Sequence, residues 1–215
     1  MNDKPFEVAH ISSIETVAAG GRVRVAVREH FDIGAFGVNA FFASRAGDEL
    51  IEEHDELVAG ALGHEELYFV ASGRATFTIN GETVAAPMGT FVFVRDPAAT
   101  RSAVAADEGT TALVIGGRRG QPFHVAPWEY SSKAYRHMQK KDYGAARGAF
   151  EEGLAEYPGD ASLLYNLACS ESLAGDAAAA LEHLRQAVER DHRVKEWARR
   201  DKDLDPIRDD PAFPL

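Results

Sequence analysis

The segment HEELYFVASGRATFTINGETVAAPMGTFVFV, residues 64–94, decides the fold of the first half of the chain. Short runs rich in β-branched and aromatic residues, which favour strands, alternate here with the turn signals Ser72-Gly73, Asn80-Gly81 and Pro87-Met88-Gly89. Asn-Gly between two such runs indicates a hairpin, because a type I′ turn needs positive φ at both central residues. The segment therefore predicts short antiparallel strands joined by tight turns.

The same pattern extends to both sides of this segment, as in RVRVAV (22–27), VNAFFA (38–43) and TTALVIG (110–116). Six or more short strands without an intervening helical pattern predict an antiparallel sandwich or barrel over residues 22–117, after a lead-in of residues 1–21. RVRVAVREH (22–30) is typical of an edge strand, and edge strands can pair between subunits. We therefore expect a homodimer.

Beyond a Gly- and Pro-rich stretch the pattern becomes helical, with apolar residues recurring every three or four positions. We assign residues 118–126 to a linker. The helical part repeats with a period of 34 residues, so that Ala134 matches Ala168 and Asp142 matches Asp176. Small residues at fixed places in a 34-residue period resemble the tetratricopeptide repeat, whose helices touch where side chains are small.

This resemblance implies two repeats over residues 127–194, followed by a capping helix and tail over 195–215. It also implies a protein- or peptide-binding groove along the first helix of each repeat, with Asn166 as the best candidate for a contact. The other groove candidates are Tyr130, Lys133, His137 and Ser170. An unrelated pair of helical hairpins, or repeats that pack on the β domain and bind nothing, are the alternatives. The predicted fold class is α+β in two domains.

The β half resembles the cupin family, which folds as a small antiparallel barrel or jelly roll. Glu66 and Gly73 have the spacing that ends the first cupin motif, and Gly81, Pro87 and Gly89 have the spacing that begins the second. The family implies a metal site of three His and one Glu. On ungapped alignment the three His places hold Gly60, Leu62 and Thr100, so only Glu66 remains. The sequence therefore favours a non-enzymatic ligand-binding or scaffold protein without a cofactor.

An alternative set of ligands appears if LVAGALG (57–63) is an insertion. His54 and Glu56 then come near the place of the paired histidines, and His64 and Glu66 follow with like parity on one strand. This set would hold Fe, Mn, Ni or Zn in a metal-dependent oxygenase or isomerase that acts on a small molecule. The simpler interpretations are a surface His54 in an acidic loop and a His64 that only hydrogen-bonds locally.

Strand alternation from an inward Glu66 places Tyr68 beside it, and a carboxylate and a phenol in an apolar pocket can orient a small ligand. An inward Glu66 without a metal ion would be desolvated, so its pKa should rise. The predicted wall residues are Phe77 and Ile79, or Phe91 and Phe93. Arg74, Arg95 and Arg101 are potential partners of Glu66 or of an acidic ligand, and the alternative is that these residues fill a closed core or lie in solvent.

Composition narrows the function classes. The 215 residues include 34 acids and 23 Lys or Arg, a formal charge of −11, which argues against nucleic acids and anionic membrane surfaces as partners. No signal peptide or spanning segment is visible, so we expect a cytoplasmic protein, and the single Cys169 excludes an intrachain disulfide. Between Arg45 and Arg74 there is no Lys or Arg and there are eight acids, which form either a solvated loop or a mouth that favours cations: Asp48, Glu49, Glu52, Glu53, Asp55, Glu56, Glu65 and Glu66.

Overall fold

The computed structural model describes residues 7–19, 22–57 and 62–214. The chain divides into two compact units, Met1–Val125 and Ala126–Leu215. The first unit is built of strands and the second of helices, so the chain is an α+β protein.

Short strands make up most of the N-terminal unit, as the turn signals predict. Its described elements are a 3₁₀ turn (Ile11–Ser13), β1 (Thr16–Ala19), β2 (Arg22–Val25), α1 (Val27–His30), β3 (Gly37–Phe42), β4 (Glu49–His54), β5 (Glu65–Ser72), β6 (Arg74–Ile79), β7 (Glu82–Pro87), β8 (Phe91–Val94), β9 (Arg101–Ala105) and β10 (Thr111–Gly117). The Asn80-Gly81 hairpin is confirmed: both residues have positive φ, 48° and 81°, and Ile79 faces Glu82 across the turn.

The described strands form two antiparallel sheets, one of six strands in the order β1-β2-β3-β10-β5-β8 and one of four in the order β4-β9-β6-β7. Their facing sides share one core that includes Leu50, Tyr68, Val70 and Phe77, all almost fully buried. The two sheets are not closed into a barrel, which corrects that part of the prediction. Pro87 at the end of the outermost strand β7 has no N–H to donate, which suits an edge and not a closed ladder.

Residues 22–30 are not an edge strand, which corrects a second prediction. β2 ends at Val25, lies between β1 and β3, and is followed by the short helix α1. Its two arginines are held inside the unit, since Arg22 pairs with Glu49 and Glu52 and the Arg24 guanidinium donates to the Asn39 side chain at 3.1 Å. The alternating pattern therefore forms a strand over Arg22–Val25 only, and this strand lies inside the sheet and not at its edge.

The C-terminal unit consists of two helical hairpins followed by shorter helices. Its described elements are α2 (Pro127–Gln139), α3 (Tyr143–Glu156), α4 (Ala161–Ala174), α5 (Ala177–Arg190), α6 (Val194–Ala198) and a 3₁₀ helix (Lys202–Ile207). The described helices include none that is long and apolar enough to cross a bilayer.

The sequence repeat is also a structural repeat. The helices α4 and α5 begin 34 residues after α2 and α3. Asp142 and Asp176 cap the second helix of each hairpin by accepting a hydrogen bond from the backbone N–H of Ala145 and Ala179, respectively. Small residues allow close packing at equivalent places, and Ala134, Ala168, Ala146 and Ala180 are fully buried.

Candidate functional site

The candidate site lies between the two sheets of the N-terminal unit. His54 ends β4 and is opposite Arg101 on β9, in the four-stranded sheet. Glu66 is the second residue of β5, in the six-stranded sheet, and is opposite Gly116 on β10. A Cβ at Gly116 would lie 3.4 Å from the Glu66 Cγ, which is an ordinary van der Waals distance, so Gly116 packs next to the Glu66 side chain.

Three of the four alternative ligands converge. The Nε2 atom of His54 lies 3.8 Å from Oε1 of Glu56 and 3.7 Å from Oε2 of Glu66. One donor atom from each of the three residues lies within 4.8 Å of the other two. His64 stands outside this group, with its Nδ1 3.8 Å from Oε2 of Glu56 and its ring packed near Phe123.

The spacing fits a metal ion. Donor atoms that share an ion at about 2.0–2.2 Å lie roughly 3–4 Å from one another. The two distances from His54 fall in that range, and the donor atoms of the two carboxylates lie within 4.8 Å of each other. One imidazole and two carboxylates are a donor set that suits divalent transition metals and leaves coordination positions open.

The environment of His54 fixes its tautomer. Nδ1 lies 2.7 Å from the backbone carbonyl oxygen of Glu52, which can only accept, so Nδ1 carries the hydrogen. In the neutral ring the lone pair is then on Nε2, which faces the two carboxylates. Burial lowers the pKa of His54, but hydrogen bonds with Glu66 and Glu52 outweigh it and the pKa is raised. The place between Nε2 and the carboxylates therefore favours a cation, which is either a proton or a metal ion.

Glu66 is stabilised as a carboxylate although it is buried. Tyr68 donates its O–H to Oε2 of Glu66 at 2.5 Å, and Nε of Arg101 lies 3.3 Å from the same oxygen. Burial raises the pKa of Glu66, but hydrogen bonds from His54 and Tyr68 outweigh it, and the result is a lowered pKa. This corrects the expectation of a raised pKa, which took the burial into account without these partners.

The burial of the Glu56 carboxylate is less well compensated by partners than that of Glu66. Burial, together with the nearby charge of Glu66, raises its pKa. Burial raises the pKa of the Tyr68 phenol well above its usual value, with Glu66 adding to the effect. Tyr68 is thus a permanent donor, and Glu56 is the carboxyl group of the site that takes up a proton more readily than usual.

Of the three arginines that the sequence offers as partners of Glu66, Arg101 is the one that lies beside it. Its side chain is fully buried, and its Nη1 donates to the backbone carbonyl of Pro97 at 3.3 Å. Nε and Nη2 make no hydrogen bond to any described residue. Arg101 directly follows Thr100, the place of the last family histidine, while Thr100 itself is exposed and bonded to Asn80.

The other two arginines named from the sequence lie elsewhere. Arg74 forms an exposed ion pair with Asp107, and Arg95 lies over the ring of Phe93. The sequence could not show which of the three arginines reaches Glu66, because Arg101 lies opposite His54 through a strand pairing that joins residues far apart in the chain.

Of the two alternative sets of wall residues, Phe77 and Ile79 belong to the core between the sheets, and Phe91 and Phe93 do not. Tyr68 and Phe77 are buried beside the site, with their ring centroids 5.3 Å apart in an edge-to-face arrangement. Phe91 and Phe93 are 65% and 47% exposed, so their prediction as wall residues is corrected. Strand alternation sends Val92 and Val94 inward in their place. Four residues of the proposed insertion, 58–61, lie outside the described residues, as does the Gly60 position.

In the helical unit the predicted groove residues mostly make contacts within the unit. Asn166 accepts from the Tyr135 hydroxyl at 2.8 Å and donates to Ser131 at 3.2 Å, which ties α4 to α2. Lys133 pairs with Glu152 at 2.7 Å. Tyr130 is half-buried in the core between α2 and α3, and His137 is half-buried near the end of α2. Ser170 is fully buried, which corrects its prediction as a residue of an open groove.

No family model and no curated protein matches the sequence. Among solved structures the chain is similar to a cupin protein from Bacteroides fragilis, with 18% identity, 57% of this chain and 92% of that chain covered, and a TM-score of 0.41. It is also similar to a sugar phosphate isomerase of the cupin superfamily from Silicibacter pomeroyi (18% identity, 52% and 76% covered, TM-score 0.43). A third is a predicted oxalate decarboxylase from Thermotoga maritima (16% identity, 51% and 97% covered, TM-score 0.41).

Proposed function

We propose that the cupin-like unit binds a divalent transition-metal ion through His54, Glu56 and Glu66 and uses it to hold a small molecule. The observation that carries this proposal is the convergence of one imidazole nitrogen and two carboxylate oxygens at metal-ligand spacing. Fe, Mn, Ni and Zn are all compatible with this donor set. A bound ion would supply Lewis acidity toward an oxygen atom of the small molecule.

The surrounding residues support such a site. The Glu52 carbonyl orients His54, and the Tyr68 hydroxyl orients Glu66, as outer partners orient metal ligands elsewhere. Phe77 closes the apolar side next to Tyr68. These contacts hold the donors without using the His54 Nε2 lone pair.

The second candidate function is the metal-free ligand-binding or scaffold protein that the sequence favoured. Arg101 supports it, because a buried guanidinium next to Glu66 already supplies positive charge beside the place of the fourth family ligand. In that case His54 would carry a proton where the ion would otherwise bind. The two candidates differ in metal content.

Metal analysis separates them. The full-length protein is expressed with Fe, Mn, Ni and Zn supplied and is then analysed by mass spectrometry, and we expect about one ion per chain. The double variant His54→Ala/Glu66→Gln should lose the ion, and His124→Ala, which removes an exposed histidine of the same unit, should keep it. A metal-free wild-type protein after this treatment would refute the metal site and leave the scaffold function.

For the helical unit we propose a tetratricopeptide-like module that binds a protein segment. The shared 34-residue period of helix starts, caps and buried alanines supports this. Because Asn166 also ties α4 to α2, Lys133→Ala is the cleaner test. It should weaken binding to an array of acidic peptides, while Lys140→Ala at the exposed end of α2 should not. Equal binding by all variants would contradict the groove.

Self-association is proposed on the same footing. A homodimer that pairs through an edge strand would use one of the strands that end the sheets. These are β1 and β8 in the larger sheet and β4 and β7 in the smaller one. Light scattering at micromolar concentration should give the mass of two chains, and a monomer would refute it.

A further inference from the structure

Arg101 carries chemistry that the metal site does not use. Its guanidinium is fully buried, and Nε and Nη2 make no hydrogen bond to any described residue. These two N–H groups point to the same side of a guanidinium and form the fork that matches the two oxygens of a carboxylate. Nε has the Glu66 carboxylate at 3.3 Å, whereas Nη2 has no partner among the described residues. A buried donor without a partner is costly, so Nη2 is typical of a place where a ligand supplies the acceptor.

Resting on the proposed metal site, we infer that the loaded site takes a monoanionic carboxylate ligand and that Arg101 is the residue that selects for it. The loaded site has two carboxylates, one guanidinium and a divalent ion. With His54 and His64 neutral, the formal charges leave a net charge of about +1. A monoanion balances this charge.

Burial makes that balance important. The side chains of Glu56 and Glu66 are 12% and 11% exposed and that of Arg101 is 0%, so water screens the group poorly. An uncompensated charge in such surroundings is unfavourable. His54 is the most open member, at 30%, and a ligand would enter on its side.

Glu66 is the present neighbour of the fork, through Oε2 at 3.3 Å from Nε. Oε2 of Glu66 can stay beside Nε of Arg101 while it serves an ion together with His54, so a ligand carboxylate meets the guanidinium through Nη2, which has no partner among the described residues. Two of the acids at the surface repel this ligand only weakly. Glu49 and Glu52 are paired with Arg22, and exposed charges are screened over about 8–10 Å by salt.

The test uses the full-length protein loaded with Co²⁺, whose visible spectrum responds to a ligand at the ion. We expect acetate to change the spectrum saturably and to bind in calorimetry, while acetamide, which is neutral and of the same shape, does not. Inorganic phosphate, tested above neutral pH where it is mostly a dianion, should bind more weakly than acetate. Equal binding of acetamide, or tighter binding of phosphate, would overturn the carboxylate assignment.

Variants test the role of Arg101. Arg101→Gln should keep Co²⁺ within a few-fold of the wild-type affinity and weaken acetate about tenfold or more, as loss of a charged hydrogen bond does. Arg74→Gln, the same change at the exposed arginine paired with Asp107, should leave acetate binding unchanged. Unchanged acetate affinity in Arg101→Gln would overturn the inference.

The outcomes keep the two proposals apart. If the wild-type protein takes up no Co²⁺ and binds no acetate, the metal site fails and the inference fails with it. If Co²⁺ binds and acetate does not, only the inference fails. Should Arg101→Gln not fold, as judged by its thermal transition, Arg101→Lys replaces it. Lysine keeps the charge and lacks the fork, so acetate should bind several-fold more weakly, and wild-type affinity would refute the selection.

Discussion

Gly73 joins β5 to β6 with a φ of +67°, in the left-handed region where a side chain adds strain. A Cβ there would also lie 2.5 Å from the Thr110 hydroxyl and 2.9 Å from the Thr110 Cα, which is backbone and cannot turn away. Gly89, between β7 and β8, has a φ of +88° and no described atom within 4 Å of its Cβ position. A side chain would therefore be strained at both positions, but only at Gly73 would it also overlap a neighbour.

We predict that Gly73→Ala destabilises the protein more than Gly89→Ala does. Both variants pay the strain of a left-handed side chain, about 1 kcal/mol, and only the first adds an overlap worth roughly 1–3 kcal/mol more. Urea unfolding followed by circular dichroism measures both. Equal losses would show that the turn at Thr110 moves freely.

Some residues of the site could be predicted and others could not, for a physical reason. Alternation along one strand is local, so Glu66 correctly places Tyr68 on the same face. The partners of Glu66 come from pairings across the sheets, and no local pattern indicates that Arg101 lies beside His54. The prediction of Phe91 and Phe93 as wall residues was wrong because aromatic residues favour strands whichever face they occupy. Only the strand register shows that these two side chains point outward.

Within α3, two glycines occupy helix interior positions with opposite surroundings. A Cβ at Gly153 would lie 2.9 Å from the Tyr130 Cβ and 3.1 Å from the Leu163 side chain, between α2 and α4. Gly148 is exposed, and its Cβ would meet no described atom within 4 Å.

Ala is the better helix former, so Gly148→Ala should stabilise the protein by about 0.5–1 kcal/mol. Gly153→Ala gains the same propensity but forces α2 and α4 apart, and a net loss of about 1–3 kcal/mol is expected. Denaturant midpoints compared at constant slope measure both changes. A stabilising Gly153→Ala would contradict the close packing of these helices.

The contact between α4 and α5 makes stability depend on pH. Nδ1 of His183 lies 2.7 Å from Oε2 of the buried Glu171, and Arg147 lies 3.7 Å from the other carboxylate oxygen. The hydrogen bond to Glu171 raises the pKa of His183 above 6.5, against the opposing effects of burial and Arg147. The folded state therefore binds the proton more tightly than the unfolded chain does.

The sign follows from that difference. The stabilisation of the folded state by protonated His183 is complete below pH 6.5. It is lost as the pH rises through the pKa that His183 has in the folded protein. The stability gap between wild type and His183→Gln should therefore be larger at about pH 5.5 than at about pH 8.5. His192→Gln, at an exposed position, serves as the control in the same urea titrations. A gap that grows with pH would mean that the imidazole is held in its neutral form.

At the scale of the whole chain, periodicity predicted the two classes of structure and missed the sheet arrangement. A change from strand to helix periodicity is visible in the sequence because each half buries its own core. Closure of a barrel depends on whether the last strands of two sheets meet, which depends on strand lengths and edges far apart in sequence. The 34-residue repeat could be predicted from the sequence, because helical hairpins pack with their sequence neighbours.

The separate cores lead to a prediction for metal binding. An ion that binds only the folded state stabilises it by RT ln(1 + [L]/Kd), about 2.7 kcal/mol at a hundredfold excess over Kd. All three proposed ligands belong to the unit Met1–Val125. Hydrogen exchange followed by mass spectrometry should therefore slow in β4, β5 and β9 when Co²⁺ is added, while α2 to α5 stay unchanged.

The same experiment contains its controls. His54→Ala should abolish the slowing, and His124→Ala should preserve it. If the helices slowed as much as the strands, the ion would be stabilising one cooperative body, and the division of the chain into two independently unfolding units would be wrong. Slowing confined to the strands would locate the binding energy in the two-sheet unit, because exchange through unfolding reports the stability of the segment that opens.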